Sequence, residues 1–176
     1  MMRQDHRGFS LIEIIVTLAL ASIVTGLVGS IFVGSLSAWR RGRDLREAQI
    51  QAIGLADLMI RDVRNANRAT GVAIRPRVAL GEGEPILLIS EGAPAIPDES
   101  PAWILYLFFS TRGEVLRYVL TAPSGGRIGT RDSRVVGRGI TKVSAVPVDY
   151  GVTIGVEVRR GTAIAQTHAT GTPRNP

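Results

Sequence analysis

A chain of 176 residues, 45% hydrophobic and 20% charged, has the length for one ordinary domain and an accessory segment. With no cysteine, disulfide scaffolds, thiolate metal sites, iron–sulfur clusters and cysteine nucleophiles are excluded, and the two histidines, His6 and His168, stand too far apart in sequence for a histidine-rich metal cage. The net charge of +6 rests almost wholly on arginine, Lys142 being the only lysine, and the arginines alternate with acids along much of the chain, as on a solvated surface.

The first eight residues, Met1–Gly8, are polar. From Phe9 to Ala38 the chain is apolar apart from small hydroxyl residues and one ionisable side chain, Glu13. The uncharged part, Ile14 to Ala38, is about 25 residues, enough for a helix to cross a bilayer core. Trp39 follows at interface depth, then Arg40, Arg41 and Arg43. A cleaved secretory signal fits poorly, because the apolar run is too long and no break follows Ala19-Leu20-Ala21. A plain membrane anchor leaves Glu13 unexplained, since an acid inside hydrocarbon costs several kcal/mol without a partner. Ser22, Gly26, Ser30, Gly34 and Ala38 recur every four residues and form a ridge of small side chains suited to close helix packing.

Arg7-Gly8-Phe9-Ser10-Leu11-Ile12-Glu13, running straight into the apolar block, resembles the cleavage and methylation site of type IV pilins and type II secretion pseudopilins. The resemblance implies that a prepilin peptidase cuts between Gly8 and Phe9 on the cytoplasmic side and N-methylates Phe9. It also implies a role for Glu13: docking in the membrane onto the N-terminal ammonium of a neighbouring subunit. The resemblance places the C-terminal part outside the cytoplasm, with the chain a single-pass protein of the inner (cytoplasmic) membrane before it enters an envelope-spanning filament. The positive-inside rule points the other way, because Arg40, Arg41, Arg43 and Arg46 outnumber Arg3 and Arg7. Large downstream domains translocate largely regardless of that bias.

Helical periodicity continues past the arginines through Leu45, Ala48, Ala52, Leu55, Met59, Val63 and Ala66, and Thr70-Gly71 supplies a stop. One helix from Phe9 to about Ala69 would be on the order of 90 Å long. Beyond it, Ile86–Ile89, Trp103–Phe109, Val115–Leu120, Lys142–Val148, Val152–Val158 and Ala163–His168 read as strands, with a hairpin turn at Thr111–Glu114. Ser90–Pro101 and the Gly- and Arg-rich Thr121–Arg134 read as loops. The expected architecture is α+β and pilin-like: one long N-terminal helix packed on an antiparallel meander sheet. Its parts are a leader over 1–8, a membrane-spanning and filament-core half-helix over 9–39, an amphipathic half over 40–70, a β-rich domain over 71–168 and a disordered tail over 169–176.

Three patches refine the resemblance. Leu58–Ala66, the Trp103–Leu120 hairpin, and Val136–Ser144 leading into Tyr150–Val158 resemble J-type minor pseudopilins and PilW-like minor pilins. That subclass implies a minor subunit at the tip of a secretion pseudopilus, with the prepilin peptidase, other minor and major subunits, and membrane lipid as partners. No base stands beside a nucleophile, so no enzyme activity, cofactor or metal is expected. Asp98-Glu99 with Ser100, and Glu82 with Glu84, lack the ordered spacing of a calcium loop. Asp62, between Arg61 and Arg64, is expected to pair within the subunit. The alternative is a minor pilin of a type IV pilus for DNA uptake, adhesion or motility. There Arg127, Arg131, Arg134 and Arg138 are the candidate phosphate contacts, with no aromatic between them to stack bases.

Overall fold

The helix-forming signals come first in the chain and the β signals after them. The computed structural model describes residues 10–66, 72–76, 82–90, 102–124 and 127–173. Helix α1 spans Leu11–Asn65. Its first turn closes on the Ser10 carbonyl, which accepts from the Glu13 and Ile14 amides at 3.0 and 3.2 Å. Expected to reach Ala69, the helix instead ends at Asn65, and Ala66, whose amide donates to Val63 O at 3.1 Å, forms a bridge.

The chain divides into two compact units, Met1–Gly42 and Arg43–Pro176. In the first, every described residue is exposed, Phe32 by 68% and Leu11 by 76%. In the second, α1 buries Ala48, Ala52, Leu55, Ala56, Met59, Ile60 and Val63. Alanine at three of these positions lets the sheets approach the helix closely. Leu45, expected on this face, is 39% exposed, and burial begins one turn later at Ala48.

Among the described residues eight strands follow: β1 Val72–Ile74, β2 Glu84–Ser90, β3 Ala102–Phe109, β4 Glu114–Ser124, β5 Arg127–Gly137, β6 Ile140–Val148, β7 Gly151–Arg160 and β8 Ala163–Gly171. They form two antiparallel sheets rather than one meander, ordered β1-β2-β3-β4-β5 and β6-β7-β8. The break falls at Gly139, whose φ of +66° turns the chain out of the first sheet. Two backbone bonds pin that crossing, Arg159 N–H to Gly139 O and Ile140 N–H to Gly113 O, both 2.9 Å. One core cluster joins α1 to both sheets through Leu87, Ile104, Tyr106, Ile154 and Val156. Leu105 and Leu107, on the opposite face of β3, are buried in a second cluster with Leu120. This two-sided burial explains the unbroken apolar run from Trp103 to Phe109.

Three boundaries depart from expectation. β1 is too short to leave a pattern. The segment read as a loop through Arg134 contains most of β5, whose polar side chains hide it because an edge strand needs no apolar face on its outer side. The tail expected to be disordered from Ala169 begins inside β8, which continues to Gly171. Gly171 packs against α1 so closely that a Cβ there would lie 2.7 Å from Ile60 Cγ2.

Candidate functional site

Gly8 and Phe9, the expected cleavage and methylation positions, lie outside the described residues. Glu13 sits in the first turn of α1, and its backbone carbonyl accepts a bond from Thr17 Oγ1. Among the described residues its carboxylate makes no ion pair with another side chain. Next to it, Ile14, Thr17, Leu18 and Ala21 line a small apolar groove of about 340 Å³.

The hydroxyls farther along bond back to the helix: Ser22 Oγ to Ala19 O, Thr25 Oγ1 to Ala21 O, and Ser30 Oγ to Leu27 O, each at 2.8 Å. Bonded back in this way, as is Ser37 Oγ to Gly34 O, these hydroxyls need no water, which suits hydrocarbon surroundings. Gly26 and Gly34 have open space where a side chain would stand. Among the described residues nothing requires them to be glycine. With Ser22, Ser30 and Ala38 they lie along one ridge of i, i+4 spacing, and the backbone is approachable from outside at each rung.

The arginines grouped by sequence meet a different setting from the loop expected. Arg127 opens β5, and Arg131 and Arg134 lie within it. Asp132 pairs with Val119 and Thr130 with Leu120, so Arg131 is extruded as a bulge at the sheet edge. Arg134 pairs across the strands with Arg117. Arg138, just beyond the strand, lies 3.5 Å from Glu114 and is largely exposed. The result is a cationic edge strand.

Like charges directly opposite each other in a sheet are unfavourable, and Asp62 resolves the clash. Its Oδ2 accepts from Arg117 Nε at 2.7 Å and from Tyr106 O–H at 2.5 Å. Both side chains of the ion pair are nearly buried, at 12% and 9% exposure. Asp62 thus pairs within the subunit, with a strand arginine rather than with its helix neighbours Arg61 or Arg64. The signal for this lay in helical phase: Asp62 shares the face of Leu55, Met59 and Ala66, so it points at the sheet.

Burial lifts the Tyr106 phenol above its ordinary range, and the Asp62 charge and hydrogen bond lift it further. For Arg117 burial works downward, but the bond to Asp62 and its charge outweigh it and hold the guanidinium firmly protonated. A phenol raised in the folded state contributes stability that is complete below its unfolded pKa and is lost as pH rises towards the folded value. Stability is therefore expected to decline above about pH 10, where the unfolded chain releases this proton and the folded chain keeps it. Urea melts between neutral pH and pH 11 check this, and Tyr106→Phe should remove that part of the slope.

Asp98, Glu99 and Ser100 lie outside the described residues. Among the described residues no three acidic or histidine side chains gather as a metal site would need.

A family model described as the prokaryotic N-terminal methylation motif matches residues 3–29. No curated protein and no solved structure matches the chain. The motif is that of a prepilin, implying processing by prepilin peptidase and assembly with other pilins, and the apolar helix behind it fits a single-pass inner-membrane anchor. The matched motif runs into a long helix whose second half packs on antiparallel sheets, an arrangement similar to that of type IV pilins.

Proposed function

We propose that the chain is a minor pseudopilin that helps initiate or cap a type II secretion pseudopilus and so supports protein secretion across the envelope. The observation carrying this reading is the methylation motif running into a fully exposed apolar helix with a lone acid, Glu13, in its first turn. Such a helix is incomplete as a monomer: it needs lipid before assembly and other helices after it. In the proposed sequence the peptidase removes Met1–Gly8 and methylates Phe9. Glu13 docks on the N-terminus of a neighbour, and the ridge of Ser22, Gly26, Ser30, Gly34 and Ala38 packs into the helical bundle. The β domain, outside the cytoplasm, then meets other tip subunits. The choice of secretion rests on the resemblance of the stem end and the hairpins to J-type subunits.

A second reading, a minor pilin for DNA uptake, adhesion or motility, draws on the alignment of Arg131, Arg134 and Arg138 along one exposed edge. A deletion strain separates the two. Under the secretion reading, secreted proteins leave the medium and accumulate in the envelope. Untouched secretion with lost DNA uptake, adhesion or motility would transfer the chain to a pilus.

A further inference from the structure

An open groove lies between α1 and β5. Gln51, Gly54, Leu55, Leu58 and Arg61 share one stripe of the helix, and Arg134, Val135, Val136, Gly137 and Arg138 form the other wall. It consists of two adjoining hollows of about 350 and 560 Å³ that share Gly54, Val135 and Val136. From Gln51 to Arg61 it runs about 15 Å along the helix. The floor is aliphatic. Arg138 stands at one end and Arg61 and Arg134 at the other, against one acid, Asp57, in the groove and Glu114 beside Arg138.

Gly54 marks the centre. Glycine inside a helix is unfavourable, yet a Cβ at this position would meet nothing within 4 Å. Among the described residues no contact accounts for it. On the neighbouring ridge Ile50 and Ile53 are 71% and 50% exposed, and across the groove Val135 is 41% exposed. A glycine floor, exposed aliphatics beside it and surplus positive charge at the end where Arg61 and Arg134 face the single acid Asp57 describe a receptor for something apolar and negative.

We infer that this groove docks an acidic segment carrying aliphatic side chains, supplied by a different subunit of the same filament. The aliphatic groups seat over Gly54 between Leu58 and Val136, and the carboxylates meet Arg61, Arg134 and Arg138. A second copy fits less well, because each copy carries +6 and the two would repel. Duplex DNA fits less well too, since an aliphatic floor offers its bases and phosphates nothing. The inference rests on the reading of the chain as a filament subunit.

The test uses the full-length protein in detergent micelles and two labelled ten-residue peptides, one alternating leucine with glutamate and the other leucine with lysine. The leucine–glutamate peptide should bind with an affinity that falls as salt rises. The double variant Arg61→Glu/Arg134→Glu and the filled-groove variant Gly54→Leu should each weaken it at least tenfold. Gly54→Leu should melt no lower than the parent, because it adds a helix-favouring residue into open space. Equal binding of the lysine peptide, undiminished binding to Gly54→Leu, or displacement of the peptide by duplex DNA would overturn the inference. So would self-association of the protein that Gly54→Leu abolishes. The intact mass of the same preparation reports leader removal independently, so failure of the groove and failure of the filament reading are told apart.

Discussion

Asp62→Ala is expected to destabilise the second unit by about 3–5 kcal/mol, the cost typical of removing one partner from a buried ion pair. A whole domain has only about 5–15 kcal/mol to lose. The reason is local. Arg117 is held away from water by the packing of β4 on α1, and without the carboxylate its charge has no counterpart. Tyr106 loses its acceptor at the same moment, leaving a second polar group unsatisfied in the core. Arg134, opposite Arg117 across the strands, adds repulsion that Asp62 no longer offsets. Denaturant unfolding of the variant measures the loss. Asp62→Leu combined with Arg117→Met and Tyr106→Phe should recover much of it, since an apolar replacement of the whole network removes the stranded groups. Equal loss in the single and triple variants would mean that shape, not charge, dominates at this position.

Glu13→Ala is expected to have the larger effect in the cell and almost none on folding. The residue is exposed in the first turn of a helix, so no packed contact of the second unit depends on it. Leader removal should proceed, because the proposed scissile bond, Gly8–Phe9, stays intact. What is lost under the docking proposal is a charge-assisted bond to a neighbour's N-terminus, worth about 1.5–3 kcal/mol. That corresponds to roughly a tenfold to hundredfold fall in incorporation at each docking step. The readout is the ratio of processed subunit left in the membrane to subunit recovered in sheared filaments. Glu13→Gln separates the cases: it keeps the shape and hydrogen-bonding capacity but not the charge. If charge is the point, it should behave like alanine.

The sequence was most legible where one physical demand acts on a long stretch. The unbroken apolar run to Ala38 must be covered by lipid or other helices, so it declares itself, and the i, i+4 phase from Ala48 to Val63 likewise announces the buried face. The strands with apolar cores, β2, β3, β4, β6 and β7, were readable for the same reason. β5 was not. Its bulges at Arg131 and Val136 reset the alternation, and its outer side has no apolar partner to mark it. Two sheets instead of one were also hidden, because the switch depends on the left-handed conformation of Gly139 and on two backbone bonds that no side-chain pattern encodes.

The docking and groove features divide along the same line. Glu13 and the small-residue ridge stand out because they interrupt an otherwise apolar helix. The Asp62 network needed the fold, since Tyr106 and Arg117 arrive from β3 and β4, each more than forty residues away along the chain. The groove needed it too: Gly54 looks like an ordinary helix-weakening residue until β5 is seen across from it.

Leader removal separates the proposed prepilin from a plain membrane anchor. The most direct measurement is the intact mass of the protein extracted from the membrane of cells with and without prepilin peptidase. A mature chain beginning at Phe9 and one methyl group heavier than its sequence is expected when the peptidase is present, and the full chain from Met1 when it is absent. A chain that keeps Met1–Gly8 in both strains would contradict the proposed processing.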